Sequence, residues 1–223
     1  MVEISPEPNG HNINKENQLE AQIPDFEAYC GLKFDGDADR LIIINEIGEK
    51  IDGDDMLAFL AEESSNIVGT EMTNQGLVEY LSNNGSKLFR ADVGEKNVFD
   101  LMVKSDAKIG GEPSGHIIPL CCNCYTSDAI VTALLILNKL SSAKLSAVNN
   151  LFKKYNQHIA KIPICENIDA IDTSYAAALL GPRGRINIRK SGTEPIVRIM
   201  LETDIMSLDL KKIAEELIKI NRL

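Results

Sequence analysis

Three short loops hold most of the residues whose types and spacing could do chemistry. In FDGDADR, residues 34–40, the carboxylates Asp35, Asp37 and Asp39 alternate, and Arg40 follows at once. Like charges this close disfavour one another's ionised forms unless a cation or buried donors offset them. Gly36 and Ala38 keep the backbone compact enough for the acids to converge on one cation, and an all-oxygen donor set without His or Cys suits Mg²⁺. A solvated acidic turn is the plain alternative. A DxDxD calcium loop is another: its closing acid would be Glu46, but the flanks are β-type residues such as IIIN rather than helices. In GGEPSGH, residues 110–116, Glu112, Ser114 and His116 sit in a glycine-hinged turn and could bond the hydroxyls of a polyol such as a sugar, although a Gly-rich loop with a serine is most often only a turn. RKSGTEPIVR, residues 189–198, is basic and hydroxylated, and Arg189, Ser191, Thr193, Arg198 and the amides around Gly192 could surround a phosphate. A surface hairpin with stray arginines would not explain the Gly, Ser and Thr between the two guanidinium groups.

Loops of this kind need elements to hold them. GLKF and RLIIINE read as strands on either side of the acidic loop, and DGDDMLAFLAEESS, with Asp at its cap and Met56, Leu57 and Leu60 at helical spacing, as a helix. NQGLVEYLSNNG predicts a second helix closed by Gly85. SKLFRADV predicts a strand, EKNVFDLMVKS a helix, AKIGGEPSGHII a strand with its loop, and SDAIVTALLILNKL a long apolar helix. Helices and strands in alternation indicate an α/β unit. Past SSAKLS the pattern changes to a short helix at AVNNLFKKY, the strand HIAKIPI, a helix at TSYAAALLG, strands GRINIR and PIVRIMLE, and an amphipathic helix DLKKIAEELIKI. That is a compact α+β module, with a boundary expected near residue 145. The first thirty or so residues are polar and rich in turn formers, so regular packing is expected to begin after them.

Composition narrows the function classes. The 223 residues are 44% apolar, enough for packed cores, and carry a formal net charge of −10. So acidic a chain is not a general nucleic-acid binder, and any phosphate site must be local. No apolar run approaches the about 20 residues of a membrane span, and the N-terminus lacks a signal-peptide core, so no membrane partner and a cytoplasmic location are expected. Five cysteines, an odd number without regular spacing, fit a reducing compartment. Adjacent thiols in the cluster Cys121, Cys122 and Cys124 do not readily take tetrahedral ligand positions, so reduced, partly buried thiols are expected rather than zinc.

Taken in order, DGDADR (35–40), GEPSGH (111–116) and RKSGTEP (189–195) resemble the α-D-phosphohexomutase family. A finer likeness, in HNINKE (11–16), DVGEKNV (92–98), GHII and GRINIRKSGTEPIVRIMLE, points to the bacterial branch that acts on glucosamine phosphate. The resemblance implies mixed-sheet α/β domains followed by a C-terminal α+β domain. Residues 1–51 would be the remainder of a second family domain with the metal loop, 52–144 the third domain with the sugar loop, and 145–223 the fourth, phosphate-binding domain. It further implies that Asp35, Asp37 and Asp39 bind Mg²⁺ with Arg40 close by. Glu112, Ser114 and His116 would grip the sugar, and Arg189, Ser191, Gly192, Thr193 and Arg198 would hold the phosphate that is not transferred. Lys96 falls where the family places a basic residue facing the site, although an exposed lysine at a helix start is an equal reading.

One departure matters. The family's nucleophile is a phosphorylated serine in a Ser-His-Asn-Pro type loop well upstream of the metal loop. Only 34 residues precede Asp35 here, and the nearest look-alike, NGHNIN, has Gly10 for the serine and Ile13 for the proline. The expectation is therefore a truncated or split member of the glucosamine branch, inactive as a mutase unless an N-terminal half-enzyme chain supplies the phosphoserine. A fragment of a phosphoglucomutase or phosphomannomutase, or a non-catalytic sugar-phosphate binding module, are the alternatives. The hexose phosphate would be glucosamine phosphate, interconverted between its 6- and 1-phosphates. A half-present second domain should also leave sheet edge and apolar surface uncovered around residues 41–44.

Overall fold

A computed structural model describes residue 13 and residues 18–140, 143–164, 168–192 and 194–222. It divides into two compact units, residues 1–153 and 154–223.

In the first unit, helix α1 (Gln18–Asp25) is followed by a three-stranded antiparallel sheet in the order β1 (Gly31–Phe34), β2 (Leu41–Ile44), β3 (Lys50–Ile51). Every side chain of β2 is fully buried. The expected uncovered surface at residues 41–44 is thus not found. The strand lies between two neighbours, and both its faces are covered. Leu41 and Ile43 join the main core with Met56 and Leu57, while Ile42 and Ile44 meet Ile13 and Ile23. The polar N-terminal segment contributes that second cover, which its composition had not suggested.

Helix α2 (Gly53–Leu60) starts with a capping box, Asp52 accepting from the amides of Asp54 and Asp55 while the Asp55 side chain returns to the Asp52 amide. Strand β4 (Asn66–Thr70), helix α3 (Gln75–Asn83), β5 (Lys87–Ala91), α4 (Glu95–Ser105), β6 (Ile109–Gly111), β7 (Ile117–Cys121), β8 (Cys124–Tyr125) and α5 (Ala129–Leu140) follow. The strands make a mixed sheet in the order β5-β4-β6-β7-β8, with β4 parallel to both β5 and β6 and the remaining pairs antiparallel. Helices cover both faces. Leu77 and Leu81 of α3, with α2 and α5, pack on Ile67, and Val98 and Met102 of α4 pack on Val68.

A 3₁₀ turn, Leu145–Asn150, closes the unit. Leu145 and Val148 are buried in its core, Ser146 Oγ donates to Glu46 Oε1 at 2.5 Å, and Asn149 bonds both Asn45 and the Lys50 carbonyl. These ties carry the first unit past the expected boundary at residue 145. Ile51 shares one core with Met56 and Leu57, so residues on the two sides of the expected division between 51 and 52 pack together.

The second unit is an antiparallel sheet in the order β10-β11-β9, made of β9 (Asn156–Pro163), β10 (Arg185–Lys190) and β11 (Ile196–Thr203), with α6 (Ser174–Leu180) and α7 (Leu210–Ile220). Val197, Ile199 and Leu201 alternate onto the helix-covered face, where they meet Ala176, Ile213 and Leu217. The intervening residues of β11, Ile196, Arg198, Met200 and Glu202, take the opposite face.

Candidate functional site

Asp35 leaves the end of β1 and is 3% exposed. Its Oδ1 accepts from the amides of Asp39 (3.2 Å) and Arg40 (3.1 Å), and its Oδ2 from Arg40 Nε at 2.7 Å. Between them Ala38 adopts φ 58°, a left-handed conformation unusual for a residue with a Cβ, and its carbonyl accepts from the Ala129 amide at the start of α5 (3.0 Å). A strained loop is thus braced by a distant helix. Asp35, Asp37 and Asp39 each offer one oxygen, all within 4.8 Å of one another, the only such cluster of acidic, Cys or His ligands among the described residues.

Burial works to raise the Asp35 pKa, but hydrogen bonds from Asp39 and from the Arg40 amide and guanidinium outweigh it and hold the group below its ordinary range. Asp39 moves the other way. Burial and then its bond to Asp35 push it up, His116 pulls it partly back, and the charges of Asp35 and Asp37 add to the rise. Asp39 Oδ1 is buried and makes no hydrogen bond, with Arg40 Nε 3.6 Å away. Converging carboxylates, one of them driven toward its neutral form and carrying an unbonded buried oxygen, form a set that a hard divalent cation would stabilise. The three acids therefore fit Mg²⁺.

The second loop is locked against the first by close backbone approach. Gly115, at φ 98°, accepts a hydrogen bond from the Leu41 amide through its carbonyl oxygen, and a Cβ there would lie 2.1 Å from Leu41 O. On the other side a Cβ on Gly53 would come within 1.8 Å of Glu112 O. Arg40 and His116 form an isolated antiparallel bridge. The loop of residues 34–40 and the loop of residues 110–116 thus meet edge to edge. Buried His116 sits at the junction, with Nδ1 3.8 Å from Asp39 Oδ2, Nε2 3.7 Å from Glu95 Oε1, and Nε2 hydrogen-bonded to Ser127 Oγ. Glu112 Oε1 accepts from the Gly94 amide at 2.9 Å, which ties the turn before α4 to the same loop. Ser114 is half-buried, and Lys96 is exposed in the first turn of α4.

Glu95, Ser127 and Gly53 are site neighbours that the sequence reading did not single out. Ser127 precedes Asp128, whose carboxylate caps α5 through the amides of Ile130 (2.8 Å) and Val131 (3.1 Å). The Asp directly before a long apolar run is a helix start, and the sequence reading places Ser127 there, but no local pattern points that serine at His116.

The third loop belongs to the second unit. Arg189 and Arg198 face each other across β10 and β11, and Lys161 of β9 is the next partner of Arg198, so three cations form one row across the sheet. Glu194 lies against that row, bonding Arg198 Nη2 at 2.8 Å and standing 3.8 Å from Lys161 Nζ. Ser191 donates its amide to Ile196 O at 2.8 Å, and a Cβ on Gly192 would meet nothing within 4 Å. Thr193 lies outside the described residues, as does Gly10.

The architecture is that of sugar-phosphate mutases. Residues 52–157 match the family model described as phosphoglucomutase/phosphomannomutase alpha/beta/alpha domain III, and residues 138–220 match the C-terminal domain of the same family. The chain belongs to the α-D-phosphohexomutase family. Among curated proteins it is 38% identical over 227 residues to the phosphoglucosamine mutase of Bartonella bacilliformis, covering 92% of this chain and 50% of the relative. A phosphoglucomutase/phosphomannomutase family protein from Burkholderia thailandensis has the same fold, with a TM-score of 0.76 at 20% identity over 96% of this chain and 52% of that one. The fold also matches the N-acetylphosphoglucosamine mutase of Aspergillus fumigatus, solved with GlcNAc-6P and magnesium, at a TM-score of 0.70 and 15% identity over 95% of this chain and 56% of that one. The chain spans about half the length of the curated relatives it matches. No helix among the described residues is long and apolar enough to cross a membrane.

Proposed function

We propose that residues 1–223 supply the metal, sugar and distal-phosphate sites of a phosphoglucosamine mutase, which interconverts glucosamine 6-phosphate and glucosamine 1-phosphate. The observation that carries this reading is the junction at His116, where a sugar-binding loop is joined to three convergent carboxylates. Asp35, Asp37 and Asp39 would hold Mg²⁺, which when bound neutralises charge on the transferring phosphoryl group. Arg40 orients Asp35 through its 2.7 Å bond and stands beside the same charge. Glu112 and His116, each fixed by a partner of its own, present acceptor and donor atoms to the hydroxyls and amine of the hexose. Arg189 and Arg198 grip the phosphate that is not transferred. Support for the amino-sugar branch comes from the likeness to phosphoglucosamine mutases.

Residues 1–223 contain no Ser-His-Asn-Pro type loop. Phosphoryl transfer by a relay of this kind needs a covalent carrier that cations cannot replace. We therefore place the phosphoserine on residues outside this sequence, in the same or a separate chain. Residues 1–223 alone should give no mutase turnover with Mg²⁺ and a glucose 1,6-bisphosphate primer, and a separately expressed serine-loop half should restore it. Turnover by residues 1–223 alone in a host lacking its own mutases would overturn the reading. Tight glucosamine 6-phosphate binding with no restored turnover would favour a non-catalytic sugar-phosphate binding module.

A further inference from the structure

Three thiols crowd the tip of the β7–β8 hairpin. Cys122 and Asn123 both have positive φ, 52° and 62°, as in a two-residue type I′ turn. Cys121 and Cys124 are the facing pair that closes it. Facing residues of an antiparallel ladder have Cα atoms about 4.5–5.5 Å apart. That range lies inside the about 4.4–6.8 Å that a disulfide spans. Their side chains leave the ribbon on the same face, so rotation about χ1 at each residue can bring the sulfurs together without moving the backbone. Cys122 and Cys124 are exposed and Cys121 is half-exposed, so the pair is open to a reagent from solvent and does not form the partly buried cluster expected from sequence. Cys121 Sγ now lies 3.8 Å from Cys122 Sγ, and Cys124 Sγ points to the Tyr125 carbonyl at 3.4 Å. A Cys121–Cys122 bond would close a ring through a single planar peptide unit, which holds adjacent Cβ atoms apart. The cross-strand bond carries no such restraint.

We propose that this tip is a thiol-modification site, at which Cys121 and Cys124 become an intrachain disulfide by exchange with a low-molecular-weight disulfide of the glutathione class. The Cys124 thiolate attacks one sulfur of the external disulfide, whose S–S bond breaks. One small thiol departs and takes up the proton Cys124 lost. The Cys121 thiolate then attacks Cys124 Sγ and expels the second small thiol, so two protein thiols are oxidised by two electrons and the external disulfide is reduced to two thiols. The order of attack agrees with the Cys122 thiol hydrogen-bonded to Cys121, which pushes the Cys121 pKa up and makes it the poorer first nucleophile. The new bond would staple the ribbon that starts just after His116 and ends two residues before Ser127, the pair in contact at its open end.

The test uses the full chain with Cys30→Ser and Cys165→Ser, equilibrated without oxygen in mixtures of reduced and oxidised glutathione and read by intact mass. With Cys122→Ser added, so that no third tip thiol can take an adduct of its own, the expected result is a loss of two hydrogen masses with no adduct, whereas adding Cys121→Ser or Cys124→Ser to that protein leaves a persistent glutathione adduct. A stable adduct in place of the two-hydrogen loss in the Cys122→Ser protein, or a disulfide-linked dimer, would overturn the proposal.

Discussion

The proposed cation site and the proposed anion site of this chain are held in opposite ways. Around Asp35 and His116, loops far apart in sequence are pressed backbone to backbone, two glycines leave no room for a methyl group, and Asp35, Arg40 and His116 are held by hydrogen bonds. Around Arg189 and Arg198 the sheet register alone lines up like charges, one glutamate offsets them, and the loop stands in open space. The first site is preorganised by long-range packing. The second is a local device whose like charges gain most when an anion arrives. Facing like charges in a sheet cost about 0.2–1 kcal/mol, a cost that a bound phosphate would remove.

The comparison breaks most sharply at its glycines. Gly115→Ala should lower stability by about 3 kcal/mol, because the methyl must displace the Leu41 carbonyl and φ is unfavourable as well. Gly192→Ala should stay within about 0.5 kcal/mol. Urea denaturation of both variants decides it, and equal losses would mean that the two loops are held alike. A step smaller, Asp39→Asn should weaken Mg²⁺ binding by at least about a hundredfold, since one unit charge near a cation is worth several kcal/mol even with strong screening. Titration calorimetry would show it, and an unchanged affinity would take Asp39 out of the ligand set.

At the anion site, inorganic phosphate should raise the melting temperature of the full chain. Arg189→Ala should reduce phosphate affinity about tenfold, the effect of one charge-assisted hydrogen bond, without unfolding the sheet. A phosphate shift that survives the substitution would move the binding elsewhere. The smallest effect concerns Glu46, which ties the 3₁₀ turn to the first unit. Burial works to raise its pKa, but hydrogen bonds from the Ser146 hydroxyl and amide and from its own backbone, with the Lys144 charge, hold it below the ordinary 4.5. A depressed carboxylate stabilises the fold above its unfolded pKa, and that stability is lost as pH falls through the folded value. Glu46→Gln should therefore cost under about 1 kcal/mol at neutral pH, with the difference from the parent vanishing in acid. A constant difference across pH would show that charge plays no part in the tie.

Much of the fold was legible from periodicity and caps, though not all. The helices at Met56, Val98 and Ile213 stand where apolar spacing put them. Strand β4 was missed, although it sits between β5 and β6 at the centre of the parallel pairing. It is five residues long and includes a glycine, and its side chains alternate between two apolar cores, so period-two alternation does not show. Helix α1 was missed because its polar composition hides Ile23, whose partners Ile42 and Ile44 lie on another element.

By itself the sequence determined which residue types were grouped: three acids in one loop, Glu, Ser and His in a second, and arginines around Gly and Ser in a third. It also determined the alternation of helix and strand that carries them, because both are properties of neighbouring positions. Only the tertiary structure decided that Asp39 meets His116 and that Ser127 and Glu95 flank the ring. The same holds for the glycines at 53 and 115, which clamp one loop against the others. Those contacts join residues from 11 to 77 positions apart, and tertiary packing, which leaves no local periodic trace, fixes them.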